Sequence, residues 1–415
     1  MRFVDPVQGD KLLGAFRAAC GIKGASVIIH SPVGCHWGVN FLERMSSIET
    51  NSTISALRER NVIFGGEENI EKVIEIILKR KKEVYLFLLA SSIPSIICED
   101  WTAVIDSIDA DIHLISMDCG GYLGKMGDGY EECLEKVYDW IEDPRKKEDK
   151  IRPSVNLIGL QRDIFRGEAN VKELRRILGR IGVNVNSVFP PASLTELRRA
   201  ATADLNVVLG YGKNLAEKMK KRWGMPWIYC EEYPYGLVGT KKFVRHIGMM
   251  LGVDPDLLDK KLQGEKERAL QSLRNARPYL PALYGLPVAI SADLPQATGM
   301  ARFLSLEVGA NIETIHVTSS PPSGDGVSQL RDICPEILVE DSWDKFDTLL
   351  KNTEIELIFG TDLEKPIFQN RGVPLMLFSY PTTSRVALTS SPYMGFRGVL
   401  TLMEEMVNLI LHGNV

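Results

Sequence analysis

The sequence of 415 residues has no long hydrophobic run and no recognisable leader. Its longest apolar run, residues 84–90, is far shorter than the ~20 residues that a membrane-spanning helix needs. The first residues, MRFVDPVQGDKLL, contain neither the apolar core nor the cleavage pattern of a secretory leader. We therefore expect a cytoplasmic protein with no membrane partner.

The distribution of charged residues and of cysteines does not indicate a nucleic-acid-binding, disulfide-rich or zinc-binding protein. The net charge is -5 at pH 7 and no broad basic stripe is present, so a nucleic-acid partner is not expected. An odd number of cysteines and the lack of a CxxC pair argue against a disulfide framework, a zinc ribbon and a redox dithiol. Most of the thiols should be small buried hydrophobic groups, with Cys98 inside a helix. The seven cysteines are Cys20, Cys35, Cys98, Cys119, Cys133, Cys230 and Cys334.

Motifs for nucleotide binding and for hydrolysis are also absent from the sequence. There is no GxxxxGK(S/T) or GxGxxG segment to hold phosphates, and no GxSxG or HExxH segment to indicate a hydrolase. If ATP takes part in the activity, another chain must bind it.

The sequence does contain a regular alternation of short apolar runs and amphipathic stretches. Residues 26–30 and 84–90 are typical of buried strands, and residues 69–81 place isoleucine and valine on one helical face. Such a βαβ alternation predicts parallel sheets covered by helices. The pattern restarts after the charged stretch 142–152, which we interpret as a linker, and again near residue 286.

These restarts predict an α/β protein with three domains. Their bounds are residues 1–150, 151–285 and 286–415, and each is of the usual size for a domain.

The segment IIHSPVGCHWG, residues 28–38, is the most informative because it places a cysteine directly after a tight turn. The preceding strand ends at His30, and Cys35 should begin a helix that extends to about Arg44. Backbone N–H groups and the helix dipole would lower the pKa of this thiol and favour the thiolate that an iron–sulfur cluster requires. The alternative is a packed cysteine after a glycine turn. His30 and His36 flank it, either as ligands or as hydrogen-bonded structural groups.

A pair of glycines, Gly65 and Gly66, precedes the predicted helix at residues 69–81. Consecutive glycines permit a positive φ angle or a close approach of the backbone to a ligand. The alternative is a turn that binds nothing. Residues 62–64 before them, VIF, are interpreted as strand-like.

Two serines, Ser91 and Ser92, follow the predicted strand at residues 84–90. Parallel sheets bind ligands at the carboxyl ends of their strands, so either hydroxyl could contact one. The alternative is that these serines cap the next helix.

The order and spacing of these motifs resemble the component 1 proteins of nitrogenase and its relatives. The resemblance rests on HSPVGC, RNVIFGGEENI and SSIPSIICED, and continues downstream in LTELRRAATADLNVVLGYGKNLAEKMKKRWGMPWI and SPYMGFRGVLTLMEEMVN. The relatives include the dark-operative protochlorophyllide reductase, the chlorophyllide reductase, the cofactor-assembly scaffold and a methanogen nickel-tetrapyrrole cyclase. The resemblance covers most of the chain and implies three Rossmann-like domains with parallel sheets around a central cleft.

The resemblance also implies a cofactor and partners. It implies a dimer that holds an iron–sulfur cluster, of the 4Fe-4S type, at the subunit interface. The other subunit is either a component 1 paralogue, giving a heteromer, or a second copy of this chain. A P-loop, ATP-dependent iron–sulfur reductase would deliver the electrons.

The cluster ligands of the family are only partly present in this sequence. Of its three cysteines, the middle one corresponds to Cys35 and the third to Ser92. The first falls near Gly9 or Asp10. Asp10 is expected to be either a carboxylate ligand or a surface residue.

Two further positions bear on the substrate. Gly210 and Met394 correspond to the cysteine and the histidine that hold the iron–molybdenum cofactor of nitrogenase. Glycine has no side chain and thioether is a poor substitute for imidazole, so no such cofactor is expected. The space beside these two residues would accept a flat organic ligand, unless neighbouring side chains fill it.

The function that these features imply is that of a nitrogenase-like reductase subunit. It would reduce an organic substrate such as a tetrapyrrole, and not dinitrogen. The alternatives are a scaffold for metallocluster assembly and a cluster-poor structural partner of a component 1 paralogue.

Overall fold

Three of the described sheets, each with four or five parallel strands, form the framework of the chain. The computed structural model describes residues 9–34, 51–79, 83–101, 104, 108, 111–144, 153–190, 192–322, 326–366 and 371–412. The described strands are β1 Ile22–Lys23, β2 Ser26–His30, β3 Ser52–Ile54, β4 Glu83–Ala90, β5 Asp111–Asp118, β6 Ser154–Ile158, β7 Asn184–Phe189, β8 Ala192–Ser193, β9 Leu205–Leu209, β10 Trp227–Cys230, β11 Pro287–Ala292, β12 Asn311–Val317, β13 Glu336–Val339, β14 Leu357–Gly360 and β15 Leu375–Leu377. The described α-helices are α1 Lys11–Cys20, α2 Glu59–Phe64, α3 Glu67–Leu78, α4 Ser92–Ile96, α5 Met126–Lys136, α6 Gly167–Arg180, α7 Leu194–Arg198, α8 Lys213–Trp223, α9 Gly236–Met250, α10 Pro255–Leu273, α11 Leu294–Phe303, α12 Val327–Leu330, α13 Trp343–Lys351 and α14 Gly395–His412.

The first sheet has the strand order β3-β2-β4-β5 and is covered on both faces. On one face, α3 buries Ile70 and Ile74 against Ile28 and Leu88 of the central strands. On the other, α1 and α5 pack on the sheet and on each other. Both faces of β2 and β4 are buried, so β4 is apolar after its first residue and β2 is apolar at its centre.

The middle and C-terminal sheets have the orders β10-β9-β6-β7 and β13-β12-β11-β14-β15. All of their pairings are parallel. The prediction of an α/β fold with parallel sheets in Rossmann-like domains is therefore confirmed. No helix in the described ranges is long and apolar enough to cross a membrane.

The three units share their hydrophobic cores. Helix α14, at the end of the chain, packs on α6, α9 and α10 of the middle domain, so one core runs through the second and third units. A second core joins the first and middle units, where β1 also pairs with β8. Most of the expected linker 142–152 lies outside the described residues.

Two local predictions are wrong. Residues 62–64 are helical, within α2, because the Asn61 side chain accepts a hydrogen bond from the Arg58 N–H and so caps the start of a helix. Cys98 is exposed rather than buried in a helix. Helix α4 ends at Ile96, and Cys98 takes a φ of 54°, which a continuing helix cannot contain.

Helix α1 is absent from the sequence prediction because its packing uses small residues rather than an apolar stripe. A Cβ on Gly14 would lie 1.8 Å from the Met126 carbonyl oxygen, and one on Gly129 would lie 1.9 Å from the Lys11 carbonyl oxygen. The backbones of α1 and α5 therefore approach directly, through glycines that hydrophobic periodicity does not register.

Candidate functional site

The carboxyl end of the first sheet is where the N-terminal motifs meet. The Ser91 N–H donates to the His30 carbonyl at 3.0 Å, and the Cys119 N–H donates to the Ala90 carbonyl at 2.8 Å. These bonds place the segments after β2, β4 and β5 side by side. Cys35 and His36 follow β2 closely in sequence but lie outside the described residues.

His30 is a fully buried group with both ring nitrogens hydrogen-bonded. Its Nδ1 lies 2.8 Å from Ser55 Oγ, and its Nε2 lies 2.5 Å from Glu99 Oε2. Burial lowers the pKa of His30, and the neighbouring Glu99 carboxylate opposes this shift only in part. These contacts make it a hydrogen-bonded structural group, one of the two roles that its sequence position allowed.

The glycine pair provides both of the backbone features expected of it. Gly65 has a φ of 95°, and the Gly66 N–H donates to Glu99 Oε1. A Cβ on Gly66 would lie 2.3 Å from Leu57 Cδ2 and 3.1 Å from His30 Cε1. Within the described residues, the close approach at Gly66 is therefore to the Glu99–His30 pair, and the glycines fix the start of α3.

Ser91 and Ser92 differ in their contacts. Ser91 is at the position that caps α4, but its side chain makes no capping bond. Its Oγ is buried and has no hydrogen-bond partner among the described residues. Ser92 Oγ accepts a hydrogen bond from the Gly121 N–H at 2.9 Å. One of the two hydroxyls thus joins neighbouring segments, while the other is buried and unpaired.

Asp10 reaches the same place from the start of α1. Its Oδ1 accepts a hydrogen bond from the Leu13 N–H at 3.0 Å and so caps the helix. Its Oδ2 lies 3.1 Å from the position of a Cβ on Gly121, and Ser92 Oγ lies 3.5 Å from that position. The structure therefore brings together Asp10 and Ser92, 82 positions apart in the sequence.

Two other thiols of the first domain are less suited as ligands. Cys119 and Cys133 are fully buried, and burial raises the pKa of both thiols. Burial of this kind disfavours the thiolate that an iron–sulfur cluster binds. Near Asp10 the described residues offer oxygen donors, and Cys35 is the thiol expected beside them. This donor set fits part of a cluster's coordination rather than all of it.

A second polar region lies where the three units meet. The Arg17 guanidinium of α1 donates to both carboxylate oxygens of Asp163 in the middle domain, at 2.5 and 2.9 Å. Its Cζ also lies 3.7 Å from the ring centroid of Tyr380 in the C-terminal domain. Burial lowers the pKa of Arg17, but the Asp163 carboxylate raises it well above its usual range. The guanidinium therefore remains charged and links all three units.

Asp293, directly after β11, is the other buried carboxyl at this junction. Its Oδ2 accepts hydrogen bonds from Tyr211 Oη at 2.7 Å and Gln161 Nε2 at 3.3 Å. Its Oδ1 has no partner among the described residues. Burial raises the pKa of Asp293 to about 7, although Tyr211 and Arg17 oppose the shift. No motif in the sequence pointed to Asp293, although it directly follows β11 just as Ser91 directly follows β4.

Gly210 and Met394 do not line an open cleft. Gly210 has a φ of 78°, and a Cβ there would lie 2.4 Å from Pro295 Cγ at the start of α11. Met394 is fully buried, and its backbone N–H donates to Asn170 Oδ1 at 3.1 Å. Among the described residues, these contacts favour the alternative that the sequence left open, in which neighbouring side chains occupy the space beside Gly210 and Met394.

Comparison with known proteins places this arrangement in a family. The profile of nitrogenase component 1 type oxidoreductases matches residues 11–411. This chain belongs to that family. Two solved chains described as nitrogenase Cp1, at pH 6.5 and at pH 5, superpose with TM-scores of 0.82 and 0.80. They share 18% and 21% identity, and the superpositions cover 99% of this component 1 chain and 94% and 90% of the solved chains.

Curated relatives of this component 1 chain are named as a subunit of light-independent protochlorophyllide reductase. The protein from Zygnema circumcarinatum is 26% identical over 425 residues, which cover 96% of this chain and 82% of the relative. The protein from Methylobacterium radiotolerans is 24% identical over 417 residues, which cover 98% and 77%. Component 1 membership makes this chain an oxidoreductase subunit, and iron–sulfur clusters are the cofactors that the family implies.

Proposed function

We propose that this chain is a subunit of a nitrogenase-like reductase that reduces a tetrapyrrole, with electrons from a P-loop, ATP-dependent iron–sulfur reductase. The relatives named as protochlorophyllide reductase subunits align over nearly the whole chain, which supports both the reaction class and the substrate class. The sequence has no phosphate-binding motif of its own, so ATP hydrolysis falls to the partner.

The structural observation that supports a cluster site in this reductase subunit is that Asp10 and Ser92 lie close together, next to a Ser91 hydroxyl that has no partner among the described residues. We propose that this edge, with Cys35, holds part of a 4Fe-4S cluster. When bound, such a cluster supplies one-electron transfer. The remaining ligands would come from a second subunit, a component 1 paralogue or another copy of this chain.

Exposed apolar side chains near this edge support a subunit contact there. Ile96, Tyr122 and Leu123 are 65%, 61% and 44% exposed. They belong to α4 and to the turn after β5, which are joined by the 2.6 Å hydrogen bond between Ser95 Oγ and Tyr122 Oη. Clusters of exposed large apolar residues are typical of protein–protein contacts.

The packing at Gly210 argues against dinitrogen as the substrate. A cysteine here would place its Cβ against Pro295, on a backbone with a positive φ angle. The anchoring thiolate of an iron–molybdenum cofactor therefore has no room in this chain. This supports reduction of an organic molecule instead.

Iron analysis of a Cys35→Ala variant tests the cluster assignment. We expect the anaerobically purified complex to lose most of its iron and sulfide and its electron paramagnetic resonance signal, because the thiolate ligand is gone. Cys334→Ala, which removes a buried thiol in the C-terminal domain, should keep its iron. Unchanged iron in Cys35→Ala contradicts the assignment, and loss in Cys98→Ala moves the thiolate to that exposed residue.

The reaction itself is tested with the partner reductase and ATP. We expect protochlorophyllide reduction only when this chain, its partner subunit, the P-loop reductase and ATP are all present. ATP hydrolysis by this chain alone contradicts the division of labour proposed here. Full iron content with no reduction of any tetrapyrrole would favour an assembly scaffold.

A further inference from the structure

A cavity of about 340 Å³ opens between the middle and C-terminal domains, away from the edge that holds Asp10 and Ser92. One wall is the loop from β6 to α6, and the other is the segment after β15. The second wall is fixed in place because Asp362 accepts hydrogen bonds from the backbone N–H groups of Thr383 and Ser384. Cavities of this size are sufficient for a small organic ligand or part of a larger one.

Cationic side chains predominate around this cavity. Arg162, Arg166, Lys172 and Arg385 line it, against two lining carboxylates, Asp163 and Glu168. Each of those carboxylates is already paired: Asp163 with Arg17 of α1, and Glu168 with Arg162. An anion entering the cavity would therefore meet uncompensated positive charge.

Two of the guanidiniums share one carboxylate. Glu405 of α14 pairs through Oε1 with Arg166 at 2.7 Å and through Oε2 with Arg385 at 2.9 Å. One negative charge thus faces two positive charges. Arg166 and Arg385 also lie over the Phe165 ring, with Cζ-to-centroid distances of 5.2 and 5.7 Å. The ring holds both guanidiniums at the cavity wall.

Arg166 has a hydrogen-bond donor without an acceptor among the described residues. Its side chain is only 10% exposed, and its Nε–H has no acceptor among the described residues, although its Nη1 donates to the Ser391 carbonyl and its Nη2 to Glu405. A buried donor without an acceptor is costly, and here it belongs to a residue that lines the cavity.

Arg166 also precedes the first turn of α6, a helix of 14 residues that begins at Gly167 without a side-chain cap. The first N–H groups of a helix have no intrahelical acceptor, and the helix dipole favours negative charge at this end. The unpaired Nε–H and the uncapped helix start therefore both favour an acceptor in the cavity.

Apolar side chains also line the cavity. Val386 and Leu388 line it and are 77% and 92% exposed, and Ile164 and Phe165 line it from the other wall. A hydrated inorganic anion gains nothing from such groups, whereas an organic acid places its carboxylate on the cations and its carbon skeleton on the apolar side chains.

We infer that this cavity binds the carboxylate of an organic acid. Guanidinium groups recognise carboxylates through paired, charge-assisted hydrogen bonds. Two sources share this chemistry: an acidic side chain of the tetrapyrrole, which rests on the function proposed above, and a free small carboxylic acid.

Binding measurements on the full chain distinguish the two sources. The probes are protoporphyrin IX, its dimethyl ester in the same detergent buffer, and citrate. Arg385→Gln removes a cavity guanidinium that is 43% exposed, and Arg245→Gln is its control, because that guanidinium is 49% exposed, pairs with Asp259 and does not line the cavity.

We expect Arg385→Gln to weaken binding of the free-acid porphyrin, of citrate, or of both about tenfold, and Arg245→Gln to leave it unchanged. The dimethyl ester should bind with the same affinity to the unchanged protein and to both variants. Arginine-dependent binding of citrate alone supports the site with a small acid as its ligand and counts against the tetrapyrrole proposed above. If neither acid distinguishes Arg385→Gln from Arg245→Gln, the inference is overturned, whatever the Cys35 experiments show.

Discussion

The carboxyl ends of the strands have different surroundings in the first sheet and in the other two sheets. In the first sheet the Ser91 hydroxyl has no partner among the described residues, and Asp10 and Ser92 converge beside Gly121. In the middle and C-terminal sheets the strand ends pack against each other. There Tyr211 donates to Asp293, and Pro295 covers Gly210. Strand ends of the same kind thus bear the proposed cluster site in one region and form a domain contact in the other.

The closed junction depends most on its buried ion pair, which Arg17→Met breaks. We expect this change to lower the free energy of unfolding by about 3–5 kcal/mol, because the Asp163 carboxylate is left buried without its partner. Urea unfolding measures the loss.

A double variant separates the charge from the packing of that pair. Arg17→Met with Asp163→Leu should recover much of the stability, because no buried charge then remains unpaired. Lys345→Met, which breaks the exposed pair with Asp341, should cost no more than about 1 kcal/mol. A loss for Arg17→Met as small as that for Lys345→Met would show that the junction is not sealed from water.

The domain contact at Gly210 is tested by adding a single methyl group. Gly210→Ala combines a positive φ angle with a clash against Pro295, so we expect a loss of about 3 kcal/mol. Gly224→Ala is a matched control, because Gly224 has a φ of 69° and nothing within 4 Å of the new Cβ. It should lose about 1 kcal/mol. Equal losses at the two positions would mean that Pro295 moves to accommodate the new methyl group, and that the two domains pack less tightly here than the distances indicate.

Asp293 makes the stability of the closed junction depend on pH. Its folded pKa is about 7, against about 3.9 in an unfolded chain, so between these values the folded state keeps a proton that the unfolded state has lost. Its contribution to the free energy of unfolding therefore falls as pH rises through this window and is constant above it.

Asp293→Asn should remove that contribution. We expect the variant's unfolding free energy, measured in urea across the window, to fall less between about pH 4 and pH 7 than that of the unchanged protein. Asp256→Asn, an exposed position on α10, should leave the pH profile as it was. Identical profiles for Asp293→Asn and the unchanged protein would show that Asp293 is ionised throughout.

The edge of the first sheet should show the smallest change in the free energy of unfolding when Asp10 is altered. Asn caps helices as well as Asp does, so Asp10→Asn should change the unfolding free energy by no more than about 0.5 kcal/mol. Iron bound by the assembled complex should nevertheless fall, because the carboxylate ligand is lost. Asp10→Ala should lose both the iron and about 1 kcal/mol of capping. Full iron in both variants would leave Asp10 as a helix cap alone.

The regular parts of the fold were predictable because their signals are local. The apolar runs of β2 and β4 and the periodicity of α3 identified these elements, and the alternation of such segments along the chain indicated parallel sheets. The resemblance in the N-terminal motifs pointed to the edge where Asp10 and Ser92 meet. Helix α1 escaped prediction because it packs through Gly14 and small neighbours, which carry no periodic hydrophobic signal.

By itself the sequence determined the fold class, the family and the segments that end each strand, because hydrophobic period and turn residues act over a few positions. Tertiary structure alone decided which strand ends pack against another domain. The Arg17–Asp163 pair joins residues 146 positions apart, and the Tyr211–Asp293 bond joins residues 82 positions apart. No local pattern encodes such contacts, because burial and pairing depend on how whole domains pack, and the burial that follows sets the pKa of Asp293 and fills the space at Gly210.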